Sequence, residues 1–124
     1  MPKDRIDHAY ILSMQEDVIL VTLGDMIKVP GSNGSLQDAR AKGADVRYVY
    51  SPLDSLKIAK KNPASKVIFF AIGFETTTPM TAALIDAVIK QDIKNIFFHI
   101  NHVTVPEAIA ALISDEKSNI DAFL

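Results

Sequence analysis

Four short runs of β-branched, aliphatic and aromatic residues recur along the chain, at 18–23, 46–50, 66–72 and 95–100. Runs of this length and composition form strands. Three of them are apolar almost without interruption, the pattern of strands covered on both faces of a parallel sheet. A fifth run, 120–124, is expected to add one more strand.

The stretches between them carry helix punctuation. Residues 5–16 predict a first helix. Ser35, with Asp38 three positions on, predicts a capped helix reaching Lys42 and closed by Gly43. Ser51, Pro52 and Asp54 predict a helix start, with Lys60 and Lys61 at the far end. Thr78 and Pro79 open another, whose Met80, Leu84, Ala87 and Val88 share one apolar face. Thr104 and Glu107 have capping-box spacing ahead of Ile109, Leu112 and Ile113. The order α-β-α-β-α-β-α-β-α-β predicts an α/β chain, a Rossmann-like three-layer αβα arrangement. Its sheet should be mostly parallel, with about five strands, and residues 1–124 should form a single α/β segment. The sequence breaks off after a strand-like run, so an incomplete domain is expected.

Charge and composition narrow the function. With 13 basic and 15 acidic side chains the net charge is -2, and both signs are scattered. That gives no basic footprint for nucleic acid and no polybasic face for a membrane surface. The longest apolar stretch, 67–73, falls far short of the roughly 18 residues a membrane span needs, so a soluble chain is expected. No cysteine is present, which removes disulfides, thiolate nucleophiles and cysteine-held metal sites from this polypeptide. Cysteine usage of this kind suits the cytoplasm, the expected location.

Ligands of open parallel sheets bind beyond the carboxyl ends of the strands. Two loops in such positions stand out. The first follows the 18–23 strand and contains Asp25, Pro30, Gly31, Ser32, Gly34 and Ser35. Small residues there let backbone N–H groups approach an anion, although the spacing is not that of a Walker A loop. A plain βα loop with a Ser35 cap explains the same residues. The second is Gly73-Phe74-Glu75-Thr76-Thr77-Thr78-Pro79. Gly73 permits a tight turn, Glu75 can act as acid, base or acceptor, and three hydroxyls crowd the helix start. One threonine suffices as a cap, and Glu75 can also complement a helix dipole. His99 and His102 are three apart, one in a strand pattern and the other in a loop, a poor metal pair. His8 reads as a surface residue, and Tyr48 and Tyr50 read as strand packing.

These two loops resemble signatures of the nickel–iron hydrogenase maturation factor HypD family. The similar stretches run from Thr22 through Gly24, Asp25, Val29, Pro30, Gly31 and Ser32 to Leu36, and from Gly43 through Asp45 and Val46 to Ser51, Pro52 and Asp54. The Gly73 to Pro79 loop is similar to that family's GFETT-x-P motif, and Ile120-Asp121-Ala122-Phe123-Leu124 matches in order. Leu23, Ile27 and Lys28 are mild departures, and Thr78 fills a variable slot.

The resemblance implies a fragment of a scaffold on which the Fe(CN)2CO centre is assembled, with HypC and HypE as partner proteins. Members are longer and carry an upstream iron-binding cysteine motif, a downstream PGHVS motif and a 4Fe–4S cluster. Cofactors, both iron and the 4Fe–4S cluster, are therefore expected only in the full-length family protein and none in this fragment. By resemblance, Glu75, Thr76 and Thr77 are carried over as cleft residues in the catalytic position. Asp25, Pro30, Gly31, Ser32, Gly73 and His102 are carried over as cleft-shaping or partner-binding positions. An assembly scaffold is expected in preference to a stand-alone enzyme. Two alternatives remain open. One is a phosphate- or nucleotide-binding module using the 31–35 loop, and the other is a hydrolase or transferase with Glu75 as base. An exposed sheet edge also predicts dimerisation.

Overall fold

Alternation of helix and strand produces a four-stranded, all-parallel sheet in the computed structural model, which describes residues 2–123. The strands are β1 (Val18–Leu23), β2 (Asp45–Val49), β3 (Lys66–Gly73) and β4 (Ile96–His102), in the order β2-β1-β3-β4. The helices are α1 (Lys3–Ser13), α2 (Leu36–Ala41), α3 (Asp54–Lys61), α4 (Thr78–Lys90) and α5 (Val105–Ser114). A 3-10 turn, Gly24–Lys28, follows β1.

Helices cover both faces of the sheet, and the side-chain alternation of β3 shows why its run is apolar throughout. Phe69 and Phe70 are adjacent and both fully buried. Phe69 enters a core with Ile19, Val21, Leu56, Leu84 and Val88, on the side of α3 and α4. Phe70 enters the opposite core with Ile6, Leu20, Leu36 and Val46, on the side of α1 and α2. Successive side chains point to opposite faces, so a central strand needs apolar residues at every position.

The expected fifth strand does not form. Residues 119–123 have no regular secondary structure and residues 119–123 are exposed, while Leu124 lies outside the described residues. The physical reason lies one element earlier. A further parallel strand would be carried back to β4 by α5, and α5 buries no side chain. Without a packed crossover helix, nothing holds the segment alongside β4.

Helix starts differ in detail from the spacing rules. Ser35 forms the full capping box, accepting from the Asp38 N–H at 3.2 Å while its own N–H donates to Asp38 Oδ2 at 2.7 Å. At the next helix, Ser51, Pro52 and Leu53 form a preceding turn, and α3 begins only at Asp54. On α4 the buried face is Thr81, Leu84 and Val88, and Met80, expected inside, is exposed in the first turn. Tyr48 and Tyr50 are also exposed against expectation. β2 is an outer strand, and the six-residue α2 is too short to cover its far end.

Candidate functional site

Because all four strands are parallel, their carboxyl ends share one rim. β2 lies on one side of β1 and the chain then crosses to place β3 on the other, so the sheet changes direction between β1 and β3. That is where open α/β sheets leave a crevice. The two loops singled out from the sequence leave β1 and β3 and so flank it. A cavity of about 210 Å3 lies there, lined by Met26 from the first loop, by Ile72, Gly73 and Phe74 from the second, and by Asn101 and Val103.

The second loop is folded tightly on itself. Gly73 has φ 130°, a conformation that L side chains rarely adopt, and a Cβ there would overlap the Thr77 hydroxyl. The Phe74 carbonyl accepts the Thr77 and Thr78 hydroxyls at 3.1 and 2.9 Å. Neither side chain therefore caps α4 by accepting a backbone N–H. Thr76 is exposed, and its hydroxyl has no partner among the described residues.

Glu75 reaches forward in the sequence. Its Oε1 and Oε2 accept the Val105 N–H at 2.8 and 3.1 Å, so it caps α5 from outside that helix. A carboxylate on the free N–H groups of a helix N-terminus offsets the positive end of the dipole. Thr104 donates to Glu107 instead of completing a reciprocal box with the backbone. With no side chain of α5 buried, Glu75 is a principal tether of this helix. Glu75→Ala is expected to speed amide exchange in α5 by several-fold, reflecting the loss of about 1 kcal/mol, and to leave β1 and β3 unchanged. Glu75→Gln, which keeps an acceptor, should retain most of the protection.

β4 runs two residues past the end of its apolar run, so His99 and His102 both lie in the strand. Their odd spacing sends them to opposite faces. His102 turns towards α4, with Nε2 2.9 Å from Thr81 Oγ1 and Nδ1 3.5 Å from Thr78 Oγ1. His99 packs against Phe70 and His8. Burial, followed by the charges of Arg5 and His8, pushes His99 below its ordinary value and so favours the neutral ring. Its Nδ1 can then accept from Asn101 Nδ2 at 2.6 Å, and the His99 carbonyl accepts from the same nitrogen at 2.9 Å.

The first loop answers to α1. Asp7 Oδ1 accepts the Ser32 N–H at 2.7 Å and the Asn33 N–H at 3.4 Å. Gly31 N–H is bonded to the Gly34 carbonyl, and Ser35 N–H is taken by Asp38. Most backbone donors that an incoming phosphate would need are thus already engaged, three of them by the chain's own carboxylates, Asp7 and Asp38. Gly31 is required for this approach, since a Cβ would sit 2.5 Å from Asp7 Oδ1. The phosphate-binding alternative loses its donors here.

Desolvation pushes the Asp7 carboxyl up, but hydrogen bonds from Ser32 and Asn33 outweigh it and hold the group below the ordinary 3.8. A depressed carboxylate adds stability that is present above the unfolded value and lost as pH falls through the folded one. Asp7→Asn is therefore expected to lower stability at pH 7 and to flatten the acid limb below about pH 4, as measured by urea unfolding across pH.

Asp25 pairs with exposed Lys28 at 3.2 Å and lines a different recess, beside Tyr48 and Tyr50. Structure thus brings Gly73, Glu75, Thr76, Thr77 and His102 to one end of β3 and β4. Asp25, Pro30, Gly31 and Ser32 lie in the loop that follows β1. Sequence reasoning missed Met26, Phe74, Asn101 and Val103 as cavity walls. Asn101 was hidden because the strand was read as ending at residue 100, and Val103 directly follows β4. Asp7 was missed because nothing local links α1 to residue 32.

Comparison with known proteins adds the remaining evidence. The sequence model of the family HypD, described as "Hydrogenase formation hypA family", matches residues 1–124. The hydrogenase maturation factor HypD of Rhodobacter capsulatus is 45% identical over 124 residues, all of this chain and 33% of its own length. The factor of the same name from Escherichia coli K12 is 44% identical over 124 residues, covering 100% of this chain and 33% of the relative. That of Rhizobium leguminosarum is 51% identical over 110 residues, 88% of this chain and 29% of the relative. The chain thus spans about a third of the length of the curated relatives it matches.

Proposed function

The chain belongs to the HypD family, and from that membership we propose that it is the α/β portion of a scaffold that assembles the Fe(CN)2CO centre of nickel–iron hydrogenase. The observation that carries this reading is the position of the Gly73 to Pro79 loop. The stretch similar to the family's motif lies at the carboxyl rim, beside the cavity between β1 and β3, where such sheets bind what they act on.

On this reading the chain positions and its partners supply chemistry. The free Thr76 hydroxyl offers a donor towards a cyanide nitrogen or a partner's polar group. Glu75, through α5, fixes where the chain leaves the rim. HypC and HypE are the partners, and iron and a 4Fe–4S cluster belong to cysteines elsewhere in the longer protein. The cytoplasm is its proposed site of action. No helix among the described residues is long and apolar enough to cross a membrane. The outer edge of β4, with Phe97 and Ile100 exposed, is the proposed dimer contact.

The test is capture of HypC and HypE by this chain and by a full-length family protein, each with Thr76→Ala and Glu75→Gln variants. Both forms are expected to retain a partner, and Thr76→Ala to weaken retention about tenfold, the effect of one lost hydrogen bond to a polar group. Capture that no rim variant alters would overturn the placement of the site. Saturable nucleotide binding by the chain would favour the phosphate reading instead.

A further inference from the structure

The rim carries a second recess, at the end of β2, to which the loop after β1 contributes and the Gly73 to Pro79 loop does not. It encloses about 290 Å3 between Gln37 and Arg40 of α2, Asp25 and Lys28 of the 3-10 turn, and the rings of Tyr48 and Tyr50. Tyr50 is 86% exposed and Tyr48 48%, and the two rings meet edge to face with centroids 6.0 Å apart. Neither of their hydroxyls has a hydrogen-bond partner among the described residues. Asp25, the recess's one carboxylate, is paired with Lys28 at 3.2 Å, whereas the Arg40 guanidinium has no carboxylate partner among the described residues. The recess therefore keeps one net positive charge, on a chain whose overall charge is -2.

Exposed tyrosines beside an uncommitted arginine are the side chains that dominate the energetics of protein interfaces. A ring pair offers rigid apolar area at little entropic cost, and a guanidinium presents a planar fork of donors matched to a carboxylate. The recess is open and lies at the small end of the range for small-molecule pockets, which suits a few side chains of a chain segment better than an enclosed ligand. We propose that this recess docks an acidic segment of a partner protein, with a carboxylate on Arg40 and a neighbouring apolar side chain across Tyr48 and Tyr50. Charge complementarity selects that occupant. A basic segment would meet the same positive charge and leave Arg40 unpaired. The inference goes beyond the scaffold reading: it shares Asp25 with that reading and otherwise rests on Arg40, Tyr48 and Tyr50.

The probe is a blocked nonapeptide of alternating glutamate and leucine, titrated into nitrogen-15-labelled chain, with the matching lysine–leucine peptide as control. Saturable amide shifts are expected at residues 24–28, 37–40 and 48–50 with the glutamate peptide alone. Arg40→Glu should weaken binding about tenfold or more, and Tyr50→Ala about fivefold. Both side chains are exposed, so amide spectra away from the recess should be unchanged and report intact folding. Equal shifts with the lysine peptide, shifts centred elsewhere, no shifts at millimolar peptide, or indifference to Arg40→Glu would each overturn the proposal.

Discussion

Replacing Gly73 with alanine is expected to destabilise the chain by about 3 kcal/mol, summing a strained backbone and a steric overlap. The residue stands at φ 130°, and an added methyl group would collide with Thr77 Oγ1 and Cβ. Neither neighbour can retreat cheaply. Thr77 is held by its hydroxyl to the Phe74 carbonyl, and Gly73 accepts the Val103 N–H at 3.0 Å, which ties the turn to the end of β4. For a domain of this size the loss corresponds to a fall in Tm of roughly 10 °C. Two controls separate the contributions. Gly24 also has positive φ, at 42°, but open space where a Cβ would be. Gly24→Ala should therefore cost only about 1 kcal/mol. Adding Thr77→Ala to Gly73→Ala should recover the part of the clash owed to Oγ1, and should leave the backbone part and the close approach to the Cβ of residue 77. If Gly73→Ala melts with the unaltered chain, the loop is not shaped as described.

Phe69→Ala is expected to cost about 3–5 kcal/mol, enough to bring a domain of ordinary stability close to unfolding. Phe69 has no exposed surface and lies in the core between the sheet and helices α3 and α4. Its ring meets Phe98 edge to face with centroids 6.5 Å apart. Truncation removes a large buried area and leaves a cavity that two layers of secondary structure cannot close. Phe69→Leu, nearer in volume, should cost under about 1.5 kcal/mol. Phe97→Ala, half-exposed on outer strand β4, should change little. Urea unfolding of the three variants orders them, and equal midpoints for Phe69→Ala and Phe97→Ala would contradict the assignment of faces.

Most of the sheet was legible because burial on both faces forces continuous apolarity, and Phe69 and Phe70 are the plainest case. Ser35 was legible as a cap because its partner, Asp38, is three residues away. What the sequence hid was carried by distant partners. Glu75 looked like a complement to its own helix, α4, yet its hydrogen bonds go to Val105, thirty positions on. Asp7 lies in the first helix with no local sign of a role, yet its carboxylate engages N–H groups of the 31–35 loop, those of Ser32 and Asn33. Tyr48 and Tyr50 alternate as strand residues should, but an outer strand beside a short helix has nothing to cover them. The missing fifth strand has the same origin. Local pattern at 120–123 suits a strand, and packing against α5, which would decide it, is absent.

The central claim is that the rim loop from Gly73 to Pro79 serves hydrogenase maturation. It is tested most directly in Escherichia coli lacking its own HypD. There, the full-length E. coli protein would carry residues 1–124 of this chain in place of its matching third. The chimera is expected to restore hydrogenase activity. Thr76→Ala in it should lower that activity about tenfold at unchanged protein level, whereas exposed Lys60→Ala on α3 should not. A chimera that accumulates without restoring activity, or a Thr76→Ala chimera as active as the parent, would contradict the account.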